Sequence, residues 1–123
     1  MIYGIGTDLI EVERVAKKVA KPDFKRKVYT EREIAYCEAN YNSAESFAAR
    51  FAAKEAFFKA LGTGWQGFFS FCEVEILNDE KGKPTVFVHG KVKAFVEEQQ
   101  FSNIQVSMSH LKSVASAVVI IER

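Results

Sequence analysis

The stretch Ser43-Ala44-Glu45-Ser46-Phe47-Ala48-Ala49-Arg50-Phe51-Ala52-Ala53-Lys54-Glu55-Ala56-Phe57-Phe58-Lys59-Ala60-Leu61-Gly62-Thr63-Gly64 decides the architecture of this chain. Alanine is the strongest helix former, and its density here predicts one long helix from about Ala44 to Leu61. Ser43 is placed to cap its start. Gly62-Thr63-Gly64 is placed to stop it, since glycine adopts the left-handed conformation that ends helices. At about 100° per residue, Glu55 and Lys59 share a face with Ala48 and Ala52, flanked by Phe51 and Phe58. Arg50, Lys54, Phe57 and Leu61 occupy another side. A helix with apolar residues on several sides is expected to be buried.

Upstream, Ile2 to Leu9 reads as a short strand interrupted by Gly4 and Gly6. Glycine inside a strand marks a bulge or a close backbone approach. Asp8 closes that strand and is placed to cap the next helix, which Ile10, Val12, Val15 and Val19 carry to about Ala20. Pro22 is expected to end it. Thr30-Glu31-Arg32-Glu33 has the capping-box pattern, so another helix follows to about Ala39. Asn40 to Ser43 is a turn.

Downstream of Gly67 the period changes to two. Val74 and Ile76 alternate with Glu73 and Glu75, the pattern of a half-buried strand. Asn78-Asp79-Glu80-Lys81-Gly82-Lys83-Pro84 turns the chain into a second strand through Val86 and Val88, which makes a hairpin. Val92, Phe95 and Val96 mark a short helix from about Gly90 to Gln100. Ile104, Val106 and Met108 alternate with Gln105, Ser107 and Ser109. After a turn, Val114 to Ile121 is apolar enough to be a central strand. There is no regular βαβ alternation, so the expected class is α+β, with a mainly antiparallel sheet packed on the long helix. At 123 residues and with no linker or repeat, residues 1–123 read as a single domain.

Composition removes several classes. Hydrophobic residues are 48% and charged residues 27%, ordinary values for a globular chain and not for a disordered one. No apolar run approaches the roughly 20 residues needed to span a bilayer. The N-terminus has no basic region ahead of a long apolar segment, so Met1 reads as a true start with no secretory signal. Cys37 and Cys72 stand alone, and His89 and His110 lack zinc-ligand spacing. A reduced, cytoplasmic protein is expected. The net charge is only +1, yet Arg14, Lys17, Lys18, Lys21, Lys25, Arg26 and Lys27 crowd one stretch whose only acid is Asp23. An acidic partner would suit it, although a solvated helix face has the same composition. Nucleic acid finds no aromatic-basic motif here.

Glu55 and Lys59 form either an intrahelical ion pair, worth a few tenths of a kcal/mol, or part of a site. Asp8 is either a helix cap or the second carboxylate of that site. Two carboxylates with substrate phosphate and water complete the usual Mg²⁺ shell, and Lys59 would then reach a phosphate oxygen. Ser109 and His110 point apart as strand neighbours and make no catalytic pair. No Walker or dinucleotide-binding loop is present.

Four segments in order carry a resemblance: Gly4-Ile5-Gly6-Thr7-Asp8 with Ile10-Glu11; Arg50 to Gly64; Phe71-x-x-Val74-Glu75-Ile76 with Asn78 and Gly82-Lys83-Pro84; and Val106-Ser107-x-Ser109-His110. Together they resemble the holo-acyl-carrier-protein synthase family, the short 4′-phosphopantetheinyl transferases. The resemblance implies an α+β fold, a homotrimer with interfacial active sites, and transfer of 4′-phosphopantetheine from coenzyme A to a serine of apo acyl carrier protein. The by-product is 3′,5′-ADP, and the cofactor is Mg²⁺. It assigns Asp8 and Glu55 to the metal, and Lys59 to the pyrophosphate. Arg50, Lys54, Gly62 and His110 fall to coenzyme A. Asn78, Gly82, Lys83 and Pro84 fall near the adenine and 3′-phosphate, in the same or the neighbouring subunit. Asp8, Glu55 and Lys59 are the implied catalytic residues. Glu55, directly or through a metal-bound water, is the candidate acceptor of the serine proton. Arg14, with Lys18 and Lys21 in the basic run, would meet the acidic carrier protein. Leu111 stands where many relatives carry a polar or acidic residue, which leaves nucleotide contacts there differently made. The competing readings are a non-catalytic basic module that binds an acidic protein, and a metal-dependent phosphohydrolase using water as nucleophile.

Overall fold

The structure is a computed structural model that describes residues 1–62 and 68–123. Strand β1 (Ile2–Glu11) leads into helices α1 (Val12–Val19), α2 (Pro22–Val28), α3 (Glu31–Ala39) and α4 (Ser43–Ala60). A short 3-10 turn at Phe71–Glu73 precedes strands β2 (Val74–Asn78) and β3 (Pro84–Val88). Helix α5 (Gly90–Glu98) and strands β4 (Asn103–His110) and β5 (Val114–Glu122) complete the order. The class is α+β. One sheet has the order β1-β5-β4, with β5 central, and the other is the β2-β3 hairpin. Every pairing is antiparallel.

The packing of α4 on the first sheet explains two sequence features at once. Gly4 and Gly6 both face the helix. A Cβ on Gly4 would stand 2.0 Å from the Ala60 carbonyl oxygen, and one on Gly6 1.9 Å from that of Ala56. The glycines therefore admit helix backbone, not a ligand, against the strand. Ala52, Ala53, Ala56 and Ala60 are the matching small residues, and Phe57, Phe58 and Leu61 fill the space around them with Val119 and Ile121. Full burial of one such phenylalanine contributes roughly 1.5–3 kcal/mol. A second cluster, with Val12, Val15, Val28, Tyr29 and Phe47, fastens α1 and α2 to the start of α4. Along α4 beyond Arg50, only Phe51, Glu55 and Lys59 escape burial.

Several expectations are corrected. Pro22 begins α2 at its first turn, where the missing N–H costs nothing, so the basic run covers two short helices. Asp8 caps nothing: β1 continues to Glu11, which occupies the N-cap position of α1. Asn42, not Ser43, precedes α4, and no side chain caps that end. Helix α5 ends at Glu98. Gly62, at φ 82°, follows the helix in the left-handed conformation expected of it. Thr63 and Gly64 lie outside the described residues. The Thr30–Glu33 capping box forms in full.

Candidate active site

The glycine-alanine contact has a chemical consequence. It presses β1 so close to α4 that Asp8, two residues past Gly6 on the same face, comes up beside Glu55 and Lys59. Lys59 Nζ lies 3.0 Å from Asp8 Oδ1 and also donates to the Thr7 carbonyl on the free edge of β1. The intrahelical Glu55–Lys59 ion pair is absent from the ion pairs among the described residues; Lys59 turns to the strand instead. Glu55 is left half-buried, without a hydrogen-bond partner among the described residues. Partial burial, and then the neighbouring Asp8 charge, push its carboxyl above the usual range, against a smaller opposing pull from Lys59 and Lys18. A carboxylate raised in this way by a second one beside it marks an electronegative site that a hard cation would relieve. No cluster of three or more His, Cys, Asp or Glu able to hold a metal occurs among the described residues. A metal held by Asp8 and Glu55 would take its other ligands from substrate and water. Asp8 and Lys59 also border a cleft of about 670 Å³ that runs across the outer sheet face over Thr7, Ser107, Ser116 and Val118.

A second pocket, of about 350 Å³, opens at the other edge of that sheet, between α3, the start of α4 and the hairpin. It gathers Arg50, Asn78, Gly82, Pro84 and His110, which the resemblance assigns to coenzyme A, and adds Tyr36, Asn40, Asn42 and Ser46. Arg50 is only 2% exposed. Its guanidinium donates to the Ile76 carbonyl, to Ser46 Oγ at 3.0 Å and to Asn78 Oδ1, and it lies 4.4 Å from the Tyr36 ring centroid. All these acceptors are neutral, and Arg50 has no carboxylate partner among the described residues. A buried cation with no counter-ion is costly, and a pocket that leads to one suits an anion.

The remaining predicted residues fall elsewhere. Lys54 lines neither of these two pockets. Its Nζ is fully buried, pairs with Glu33 at 2.7 Å and donates to the carbonyls of Val28, Phe71 and Val74. Burial lowers its pKa, with Glu33 pulling the other way. It braces α4 against α2, α3 and β2, whereas the resemblance assigns it to coenzyme A. Lys83 is exposed on the hairpin turn, its amide bonded to Asp79, while its neighbours Gly82 and Pro84 line the pocket. Gly62 is exposed, and no described residue lies within 4 Å of where its Cβ would be. Arg14, Lys18 and Lys21 are exposed on α1 and at the start of α2, and Lys18 Nζ lies 5.6 Å from the Phe24 ring.

Sequence reasoning missed the second half of the buried polar framework. Glu75 reads as the solvent side of an alternating strand, yet it is 2% exposed. It accepts from Arg32, Thr30 and His89. Burial raises its carboxyl, but these hydrogen bonds outweigh it and bring the group down to about 2. Glu33 is visible in the sequence only as a cap; its other oxygen accepts from the Ile76 amide at 2.9 Å. The one signal available was the density of acids and bases on segments too apolar to be surface.

The description of the 4′-phosphopantetheinyl transferase superfamily matches residues 4–119. The chain belongs to that superfamily. The transferase is 43% identical to the holo-[acyl-carrier-protein] synthase of Fusobacterium nucleatum, over 98% of its own length and 99% of that relative's. Its fold superposes on a crystal structure of holo-[acyl-carrier-protein] synthase from Neisseria meningitidis with a TM-score of 0.91 at 37% identity, covering all of both chains. A holo-(acyl-carrier-protein) synthase from Bacillus anthracis, in complex with CoA (3′,5′-ADP), matches with a TM-score of 0.81 at 35% identity over 99% of this transferase and 97% of that chain. No helix among the described residues is long and apolar enough to cross a membrane.

Proposed function

We propose that the chain is a Mg²⁺-dependent holo-acyl-carrier-protein synthase that acts on coenzyme A and an apo acyl carrier protein, with residues 1–123 as one catalytic domain. The observation that carries this reading is the Asp8–Glu55 carboxylate pair, set beside Lys59 by the glycine-alanine contact of a shared fold. In the reaction the carrier serine Oγ bonds to the β-phosphorus of coenzyme A. The bond from that phosphorus to the oxygen bridging to the α-phosphate breaks, and 3′,5′-ADP departs with the electron pair. Mg²⁺ on Asp8 and Glu55 would offset charge on the pyrophosphate. Lys59 Nζ, now on Asp8 and the Thr7 carbonyl, is within a side-chain rotation of a phosphate oxygen there, and would stabilise the leaving group. Glu55, made more basic by burial and by Asp8, is suited to take the serine proton.

Arg50, with no carboxylate partner among the described residues, supports placing the 3′-phosphate in the second pocket, with the adenine against Asn78, Gly82 and Pro84. The metal pair lies at the β1 edge of the sheet and this pocket at the β4 edge. The outer sheet face between them leaves Ile5 57% and Leu9 71% exposed beside Val118 and Ile120. Both facts favour a homotrimer in which that face is covered and the site is shared between neighbours. Arg14, Lys18 and Lys21 would dock the acidic carrier protein from the α1 side, where Lys18 already faces Glu55. A cytoplasmic location fits these substrates.

Nucleotide chromatography tests the assignment. Release of 3′,5′-ADP from coenzyme A only when apo carrier protein is present supports the transferase. Release without carrier protein would make the chain a phosphohydrolase, and no release at all would favour a binding module. Sedimentation equilibrium reads the trimer directly.

A further inference from the structure

Glu45 belongs to neither of the residue groups above. It sits in the first turn of α4, where the helix N-terminus favours a carboxylate. Its Oε1 is 2.8 Å from Nδ1 of His110, and its side chain is only 17% exposed. His110 in turn borders the pocket that contains Arg50. We propose that Glu45 is a positioning residue that fixes His110 as the second donor, after Arg50, to the phosphate monoester of the nucleotide. This rests on the reading of that pocket as the seat of the coenzyme A 3′-phosphate.

The argument is one of hydrogen-bond direction. An ionised carboxylate only accepts, so Nδ1 must carry the proton it shares with Glu45. That contact fixes the ring plane and leaves Nε2 as the polar atom with no partner among the described residues. The following residue, Leu111, is apolar and 72% exposed. Arg50 alone cannot saturate a phosphate monoester, because its guanidinium is already spent in part on Ile76, Ser46 and Asn78. As an imidazolium, whose two ring nitrogens both donate, His110 gives Nδ1–H to Glu45 and Nε2–H to the phosphate, and so adds the missing donor at the pocket rim. A phosphate met by two fixed donors is also told apart from a bare ribose hydroxyl, so the pair contributes selectivity as well as affinity.

The sign of the effect distinguishes this role from a simpler one. A carboxylate that merely stood near an anion site would repel the ligand, and its removal would tighten binding. A positioning carboxylate does the reverse. Calorimetric titration of the intact protein with coenzyme A and with dephospho-coenzyme A, which differ only in the 3′-phosphate, reads both. Glu45→Ala and His110→Ala are each expected to weaken coenzyme A by about tenfold, and the double variant no further. Glu45→Gln, which keeps an acceptor oxygen on Nδ1, falls between. Dephospho-coenzyme A binds wild type and variants alike. Tighter coenzyme A binding by Glu45→Ala, no change, or equal weakening of both ligands overturns the proposal. A wild-type protein that fails to distinguish the two coenzymes overturns the parent reading of the pocket as well, and is recognised by that before any variant is made.

Discussion

Lys54 and Glu55 are neighbours in sequence and opposites in circumstance. Lys54 is fully buried, with one carboxylate and three carbonyls on its ammonium. Glu55, half-exposed, has no hydrogen-bond partner among the described residues and a like charge beside it. One residue of rotation about α4 separates a closed polar framework from an open site. A buried charge that is completely satisfied holds elements together. A charge left facing its own sign stands ready for a ligand of the other sign. The chain puts both on one helix, so the rigidity of the first fixes the geometry of the second.

Breaking the closed side is expected to have the largest effect. Glu33→Ala leaves Lys54 buried without its partner and is expected to cost roughly 3–5 kcal/mol of stability, measured by urea unfolding. Replacing both residues by apolar ones of similar volume, as in Glu33→Leu with Lys54→Met, should recover most of that loss. If the single variant unfolds like wild type, the framework role of Lys54 is wrong.

On the open side the effect moves from stability to turnover. Asp8→Asn and Glu55→Gln should each lower turnover by about a hundredfold or more, the scale at which electrostatic stabilisation acts. The unfolding midpoint of Glu55→Gln should stay at or above wild type, since it removes a repulsion, and that of Asp8→Asn close to wild type, since the lost repulsion is offset by the lost Lys59 ion pair. A large loss of stability with either would make the pair structural after all.

The two sides also respond to pH with opposite signs. Glu55 is raised in the folded state, so its share of stability is complete below its ordinary value and declines as pH rises through the folded value. Glu75 is lowered to about 2, so its share is present above its ordinary value and is lost as pH falls toward 2. Stability against pH should therefore lose its acid-side fall in Glu75→Gln and its decline above the ordinary glutamate range in Glu55→Gln. Added Mg²⁺ should remove the second slope and spare the first.

The smallest effect is expected at the surface proposed to face the carrier protein. Arg14→Glu should raise KM for the carrier protein several-fold, more at low salt than at high, and leave KM for coenzyme A unchanged. Equal shifts in both would remove α1 from docking.

These two sides were unequally legible in the sequence. The open side could be read because its residues carry local marks: glycines inside a strand, an acid closing the motif, and acid and base one turn apart on an alanine-rich helix. Even so, no periodicity says that Asp8 and Glu55 meet; only the packing of Gly4 and Gly6 on Ala56 and Ala60 brings them together. The closed side was nearly invisible. Glu33 looked like a cap and Glu75 like a solvent-facing strand position, because burial of a paired charge depends on partners far along the chain. Pro22 misled for a simpler reason: a proline that ends one helix is equally at home in the first turn of the next.

The most direct test of the central claim is intact-mass spectrometry of apo acyl carrier protein incubated with coenzyme A and this protein, with Mg²⁺ or with chelator, in wild type and in Asp8→Asn. The account predicts a carrier protein heavier by one phosphopantetheine only for wild type with metal. Equal modification under chelation, or by Asp8→Asn, would contradict it.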